Sequence, residues 1–92
     1  MSVVRARALV KGRVQMVGFR AFVVRHASAA GLRGTVRNRP DGSVEAVLEG
    51  PEPEVEHVIR LLHEGPSHAR VDAVEVAYEY AAGDLPLMSV AS

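Results

Sequence analysis

Residues 5–11 alternate between apolar and basic side chains, which is the pattern of a strand with one face buried in a core. Ala6, Ala8 and Val10 form the apolar side, and Gly12 is expected to end the strand. Three more strands are predicted. A Pro-Asp-Gly turn, which favours chain reversal, joins the second and third strands of the chain into a hairpin. These strands cover residues 32–39, 43–50 and 74–80.

Two segments between these strands have apolar residues at helical spacing. The first begins near Phe19 and ends at Gly31, a residue type that commonly caps the C-terminus of a helix. The second begins with a Pro-Glu-Pro-Glu run, whose carboxylates complement the helix dipole, and it stops at Gly65. The predicted order is therefore strand, helix, strand, strand, helix, strand, with a weakly patterned tail over residues 81–92.

This order predicts an α+β fold, the ferredoxin-like split βαβ sandwich (βαββαβ), with an antiparallel sheet in the order 4-1-3-2 and both helices on one face. We expect a single domain over residues 1–92. Strands one and two run in the same direction with strand three between them, so their C-terminal ends lie about 10 Å apart at one edge. The loop over residues 13–19 can bridge that gap, and Asn38, at the end of strand two, is expected to face it.

The segment Gly12–Arg20 is a glycine-bounded loop that leads into the first predicted helix. Such a loop presents unpaired backbone N–H groups and the positive end of the helix dipole, and both attract an anion. Arg20 adds a planar guanidinium that can bind phosphate oxygens two at a time. We therefore predict a phosphate cradle, with the substrate-binding residues Gln15, Met16, Val17, Gly18, Phe19 and Arg20.

The formal net charge of zero conceals an uneven charge distribution. Of the 11 basic residues, all but Arg60 and Arg70 precede Pro40, whereas all 11 carboxylates follow it. This asymmetry indicates either a basic anion-binding face or two halves that partly neutralise each other, with most arginines being ordinary surface charge. A nucleic-acid surface would need aromatic residues on the central strands. Strands one and three have none, so we expect no nucleic-acid partner.

The absence of cysteine excludes disulfides and thiol chemistry. Without a long apolar run or a signal-peptide pattern, we expect a soluble, cytoplasmic protein with no membrane association, and we expect a monomer. The histidines lie in separate predicted elements or on different faces of one helix, so no metal site is predicted. They are His26, His57, His63 and His68.

Two motifs at a characteristic separation carry a resemblance to a known family. The first is Gly12–Arg20 and the second is Gly34–Asn38, with Gly42, Val44 and Gly50 following them. From strand one through strand four, the chain closely resembles the acylphosphatase family. Because two separate motifs match, the resemblance is far more specific than a lone glycine-rich loop would be.

The resemblance implies a ferredoxin-like fold and hydrolysis of the carboxyl–phosphate bond of acyl phosphates, giving a carboxylate and inorganic phosphate without a metal or cofactor. It also implies that Arg20 and Asn38 are catalytic, Arg20 binding the phosphoryl group and Asn38 orienting the attacking water. Met16 stands where the family usually has glycine, Thr35 where an aromatic is common, and the tail lacks the expected aromatic-containing final strand. We expect Met16 to hold an unstrained, right-handed conformation that rigidifies the loop.

The residue chemistry of the loop also favours an activated substrate. The loop contains no Cys, Asp, Glu or His, one of which a nucleophilic phosphatase would normally use. A carboxylate leaving group, whose acid has a pKa of roughly 4, needs little protonation. Alternatives remain open at this point. The domain could be a silent anion-binding regulatory module, Asn38 could cap the hairpin turn, and Arg20 could pair with a later carboxylate.

Overall fold

The computed structural model describes residues 2–91, which form two helices and one five-stranded sheet. The elements are β1 (Val3–Arg13), α1 (Phe19–Ala29), β2 (Arg33–Asn38), β3 (Val44–Pro51), α2 (Glu52–Glu64), β4 (Arg70–Glu79) and β5 (Ser89–Val90).

The strands lie in the order β4-β1-β3-β2-β5. Neighbouring strands are antiparallel, except that β5 runs parallel to β2. The ferredoxin-like α+β fold and the strand order 4-1-3-2 are thereby confirmed, and β5 is an addition that the sequence pattern did not predict. β1 and β2 run in the same direction with β3 between them, so their C-terminal ends meet at one edge of the sheet.

β1 is longer than predicted because Gly12 continues the strand instead of ending it. The pairing of β1 with β4 shifts register between Lys11 and Gly12, which marks a β-bulge. Gly12 has a φ of 130°, and a Cβ atom there would lie 2.2 Å from the carbonyl oxygen of Arg70. Only glycine fits this bend. The pairing with Arg70 and Val71 also explains why β4 begins before the predicted residue 74.

The core lies between the sheet and the two helices. The apolar side of β1, predicted from its alternation, is completely buried at Ala6, Ala8 and Val10. The helices cover this face with apolar side chains that repeat every three or four residues, as their spacing predicted. The buried helix residues are Phe19, Val23 and Ala27 of α1 and Val55, Val58, Ile59 and Leu62 of α2. Within residues 2–91, neither helix is long and apolar enough to cross a bilayer.

The opposite face of the sheet, called here the open face, carries ion pairs. Glu45 lies at its centre, with nitrogens of Arg37, Arg7 and Arg39 at 2.9, 3.3 and 3.4 Å from its carboxylate oxygens. Burial raises the pKa of the Glu45 carboxyl, but hydrogen bonds from Arg37 and Arg7 outweigh it and leave the pKa below its ordinary value. Further pairs on this face are Arg5–Glu49, Arg7–Glu79 and Lys11–Glu75.

The C-terminal tail begins with an anchor on the open face. Arg5 forms an ion pair with Asp84 and a second one with Glu49 at 2.8 Å. The other carboxylate oxygen of Glu49 accepts a hydrogen bond from the Gly83 backbone N–H at 3.1 Å. The tail is therefore tied to the sheet soon after β4 ends.

The tail then follows the outer edge of β2. The Gly34 N–H donates to the carbonyl oxygen of Pro86 at 2.9 Å, and the Ala91 N–H donates to that of Val36 at 2.8 Å. Between these bonds Met88 is buried in the core. A strand of two residues has almost no periodic signal of its own, so its formation depends on these distant partners.

Candidate active site

An open cavity of about 300 Å³ lies between the start of α1 and the end of β2. It is the place where the strand order brings the loop after β1 and the C-terminus of β2 to one edge of the sheet. The residues that line it are Val14, Met16, Gly18, Phe19, Arg20, Ala21, Asn38 and Val90.

The loop and the first turn of α1 leave several backbone donors without partners. Within residues 2–91, the N–H groups of residues 15–21 donate no hydrogen bond to backbone or side-chain acceptors. The first bond at the helix start runs from the Phe22 N–H to the Gly18 carbonyl at 3.0 Å, and no side chain caps the helix. These donors and the positive end of the helix dipole favour an anion at this position.

Met16 has a left-handed backbone, so the expectation of a right-handed, unstrained conformation is wrong. Its φ is 62°, and it is the one residue other than glycine with a positive φ among those described. A left-handed backbone costs an L-residue about 1–2 kcal/mol. The side chain is 99% exposed, so no packing offsets this strain. Gly18 is also left-handed, with a φ of 80°, and such left-handed positions let successive N–H groups line a concave surface.

Arg20 is the second residue of α1, and its side chain is exposed at the cavity. Within residues 2–91 it forms no ion pair and no side-chain hydrogen bond, and the first turn of α1 contains no acidic residue. The alternative of a structural pair with a later carboxylate therefore has no support. A cation at a helix N-terminus is unfavourable by itself, and a bound anion would compensate for it.

Asn38 is the last residue of β2, pairs with Val44 of β3 and lines the cavity half-buried. Within the described part of the chain its side-chain amide makes no hydrogen bond. The hairpin turn is capped instead by Asp41, whose carboxylate accepts hydrogen bonds from the N–H and hydroxyl of Ser43. The turn-capping alternative for Asn38 therefore has no support, and its amide is available to a ligand.

Gln15 was predicted to bind substrate, but its side chain joins the loop to the hairpin. Its amide nitrogen donates to the carbonyl oxygens of Arg39 at 2.8 Å and Ser43 at 2.9 Å. The amide nitrogen of Gln15 is therefore engaged by the hairpin, while its backbone N–H is among the unpaired donors of the loop. Val17 packs partly buried against the core, and neither it nor Gln15 is among the cavity-lining residues.

Phe19 and Val90 are the cavity residues that connect the site to the rest of the fold. The Phe19 side chain is fully buried in the core, so its contribution to a ligand is its backbone. Val90 was not predicted, because its position depends on the pairing of β5 with β2. The chain offered no local signal for it.

Residues 2–91 contain no group of three or more His, Asp or Glu side chains placed to hold a metal ion. The chemistry available at the cavity is therefore that of one guanidinium, one amide and the unpaired backbone N–H groups. This set can bind an oxyanion and can orient a small polar molecule beside it.

The fold and the cavity define a class of protein, a ferredoxin-like α+β domain with an anion-attracting helix N-terminus at the sheet edge. The acylphosphatase family model matches residues 6–84. The chain is 55% identical to an acylphosphatase of Moorella thermoacetica over 84 residues, which are 91% of this chain and 90% of that relative. It is 60% identical to one of Caldivirga maquilingensis over 74 residues, 79% of this chain and 78% of the relative.

Solved structures agree with this assignment. The crystal structure of acylphosphatase from Bacillus subtilis matches with a TM-score of 0.93 and 34% identity, covering 97% of this chain and 99% of that one. The chain belongs to the acylphosphatase family. It is accordingly an enzyme that hydrolyses acyl phosphates, and the resemblance noted from the two motifs is confirmed.

Proposed function

We propose that the loop N–H groups and Arg20 hold the phosphoryl group of an acyl phosphate while Asn38 orients the attacking water. The observation that carries this proposal is that Arg20 and Asn38, which lie on different elements, line one cavity without any partner among residues 2–91. Polar groups that the fold leaves unpaired at one place are the ones available to a ligand.

In the proposed reaction, water attacks the phosphorus atom. A bond from the water oxygen to phosphorus forms as the bond from phosphorus to the acyl oxygen breaks, and the electron pair leaves with the carboxylate. Phosphoryl transfer spreads charge over the remaining phosphate oxygens and is accelerated chiefly by positioning and charge stabilisation. The guanidinium of Arg20 and the preorganised backbone N–H groups supply that stabilisation. The proton of the water passes to the phosphate itself.

Asn38 has the acceptor group that this role needs. Its amide oxygen can accept a hydrogen bond from the attacking water. That contact would hold the water in line with the bond that breaks. Since Asp41 and Gln15 hold the hairpin turn, the Asn38 amide need not serve the fold.

The proposed mechanism uses neither a metal nor a general acid. The carboxylate leaving group is stable as an anion at neutral pH, since its acid has a pKa of about 4. The leaving group of a phosphate monoester is a far more basic alkoxide, which would need protonation. The proposed site should therefore discriminate strongly in favour of acyl phosphates.

The test is phosphate release from acetyl phosphate by the purified protein, with a phosphomonoester as the comparison substrate and with a metal chelator present. We expect release from acetyl phosphate alone, at a rate that the chelator does not change. A preference for the monoester, or a loss of activity in chelator that a divalent cation restores, would overturn the proposed mechanism.

A further inference from the structure

The C-terminal strand brings an apolar side chain to the cavity beside Asn38. β5 pairs with β2 through Thr35–Ser89 and Val36–Val90, and the Ala91 N–H donates to the Val36 carbonyl at 2.8 Å. Val90 thereby reaches the cavity, where its side chain is 52% exposed. Val90 pairs with β2, the strand that ends at Asn38, so the positions of Val90 and Asn38 are fixed relative to each other.

The residues before and after Val90 in the chain fix its position. Met88, two residues earlier, is buried in the core, and Ala91 is hydrogen-bonded to β2. Earlier in the tail, Asp84 pairs with Arg5 on the open face. Val90 is therefore part of an anchored strand, and its side chain can act as a wall of the cavity.

The cavity lining contains two chemically different kinds of side chain. The polar ones are Arg20 and Asn38, whereas the accessible apolar ones are Met16, Ala21 and Val90. An acyl phosphate likewise has an anionic phosphoryl end and a carbon end. With the phosphoryl group at Arg20, the carbon end would contact the apolar side chains.

We propose that Val90 contacts the acyl group and determines substrate specificity, favouring large apolar acyl groups over small ones. The inference rests on the proposed function, because it needs the phosphoryl group to be bound at Arg20. An apolar acyl group gains from removal of its surface from water against Val90 and Met16.

The experiment compares kcat/KM for benzoyl phosphate, which has an apolar acyl group, with that for acetyl phosphate, whose methyl group reaches little of the wall. Val90→Ala should lower the ratio of the two values about fivefold, less than for a fully enclosed pocket because the wall is open. The inhibition constant of inorganic phosphate should stay unchanged, since phosphate has no acyl group to contact Val90. Val90→Thr keeps the shape and replaces a methyl by a hydroxyl, so it should lower the ratio in the same direction.

Val3→Ala is the matched control, because Val3 is similarly exposed, at 57%, and does not line the cavity. It lies at the start of β1, whereas the cavity loop follows the end of that strand. It should leave the ratio unchanged. An unchanged ratio in both Val90 variants would overturn the inference, as would an equal loss for both substrates together with weaker phosphate inhibition. Those results would leave the proposed function standing. That proposal fails instead if the unmodified protein hydrolyses neither acyl phosphate.

Discussion

Two regions of this protein, the open face and the cavity, contain arginines that differ in whether they have partners. On the open face, the guanidinium groups of Arg7, Arg37 and Arg39 share Glu45, and Arg5 pairs with Glu49. At the cavity, Arg20 has no carboxylate partner among residues 2–91. The residue type is the same in both regions, so the presence of an arginine does not by itself indicate an anion site. What favours one at Arg20 is the lack of a partner together with a position beside the unpaired N–H groups at the start of α1.

The strand register explains the paired region. Arg5 lies directly opposite Glu49, and Arg37 directly opposite Glu45, and such cross-strand neighbours of opposite charge stabilise a sheet. The helix start explains the unpaired region, because a cation there meets the positive end of the dipole and gains stability only from an added anion. Of the two interpretations of the uneven charge, mutual neutralisation holds for the open face and an anion site is proposed for the cavity.

Replacing the unpaired arginine should have the largest effect on activity. Arg20→Lys should lower kcat/KM for acetyl phosphate about 1,000-fold, because a point charge cannot replace two parallel donors on the phosphoryl group. Inorganic phosphate should raise the Tm of the parent protein by mass action and that of the variant much less. Arg25→Lys, on the same helix and also exposed, serves as the control and should behave like the parent. Equal protection of all three proteins would place the anion site elsewhere.

The second prediction separates positioning of water from binding of phosphate. Asn38→Ala should lower kcat about 100-fold, the typical cost of a misplaced reactant, while inhibition by phosphate stays nearly unchanged. Asp41→Ala is the control for damage to the hairpin turn, and it should lower the Tm with little change in kcat. If phosphate inhibition weakens in step with kcat, Asn38 is a binding residue and not a positioning one.

The third prediction concerns the paired region. Glu45→Gln should lower the free energy of unfolding by about 1–2 kcal/mol at pH 7, between the values for exposed and fully buried pairs, because the three arginines remain partly exposed. Activity should be retained. Glu64→Gln is the control, since Glu64 is exposed and has no ion pair among the described residues.

The difference in free energy of unfolding between the parent and Glu45→Gln should depend on pH, because the pKa of Glu45 is lowered in the folded state. Its stabilisation is fully present above the ordinary value of 4.5 and is lost as the pH falls through the lower folded-state value. Urea unfolding of parent and Glu45→Gln should therefore differ at neutral pH and converge in acid. A difference that persists undiminished at about pH 2, well below the ordinary range of carboxyl groups, would contradict this account.

The smallest expected effect is at Met16. Glycine removes about 1–2 kcal/mol of left-handed strain but increases the entropy of the unfolded chain, so Met16→Gly should stabilise by about 0.5–1 kcal/mol and raise the Tm by roughly 2–8 °C. Activity should be preserved or raised. Met16→Ala shortens the side chain but keeps the Cβ atom, so it should give no such gain. An equal gain from alanine would show that the side chain, and not the backbone, is responsible.

The sequence by itself determined the two helices, the first four strands, their order and the loop that precedes α1. The alternation over residues 5–11, the Pro-Asp-Gly turn and the glycine at 18 are local signals, and each acts within a few residues of chain. The order of the elements then restricted the sheet to a common topology, which placed Asn38 at the same edge as the loop. Local patterns were sufficient for these features because their physical causes are local.

Tertiary structure alone decided which groups are paired and which are free. Gln15 is used by the distant hairpin, and Val90 reaches the cavity only because β5 pairs with β2. The left-handed backbone of Met16 is a cost that the loop geometry imposes against the preference of the residue itself. The contacts of Gln15 and Val90 depend on groups far apart along the chain. Contacts of that kind exist only after the sheet has brought the groups together.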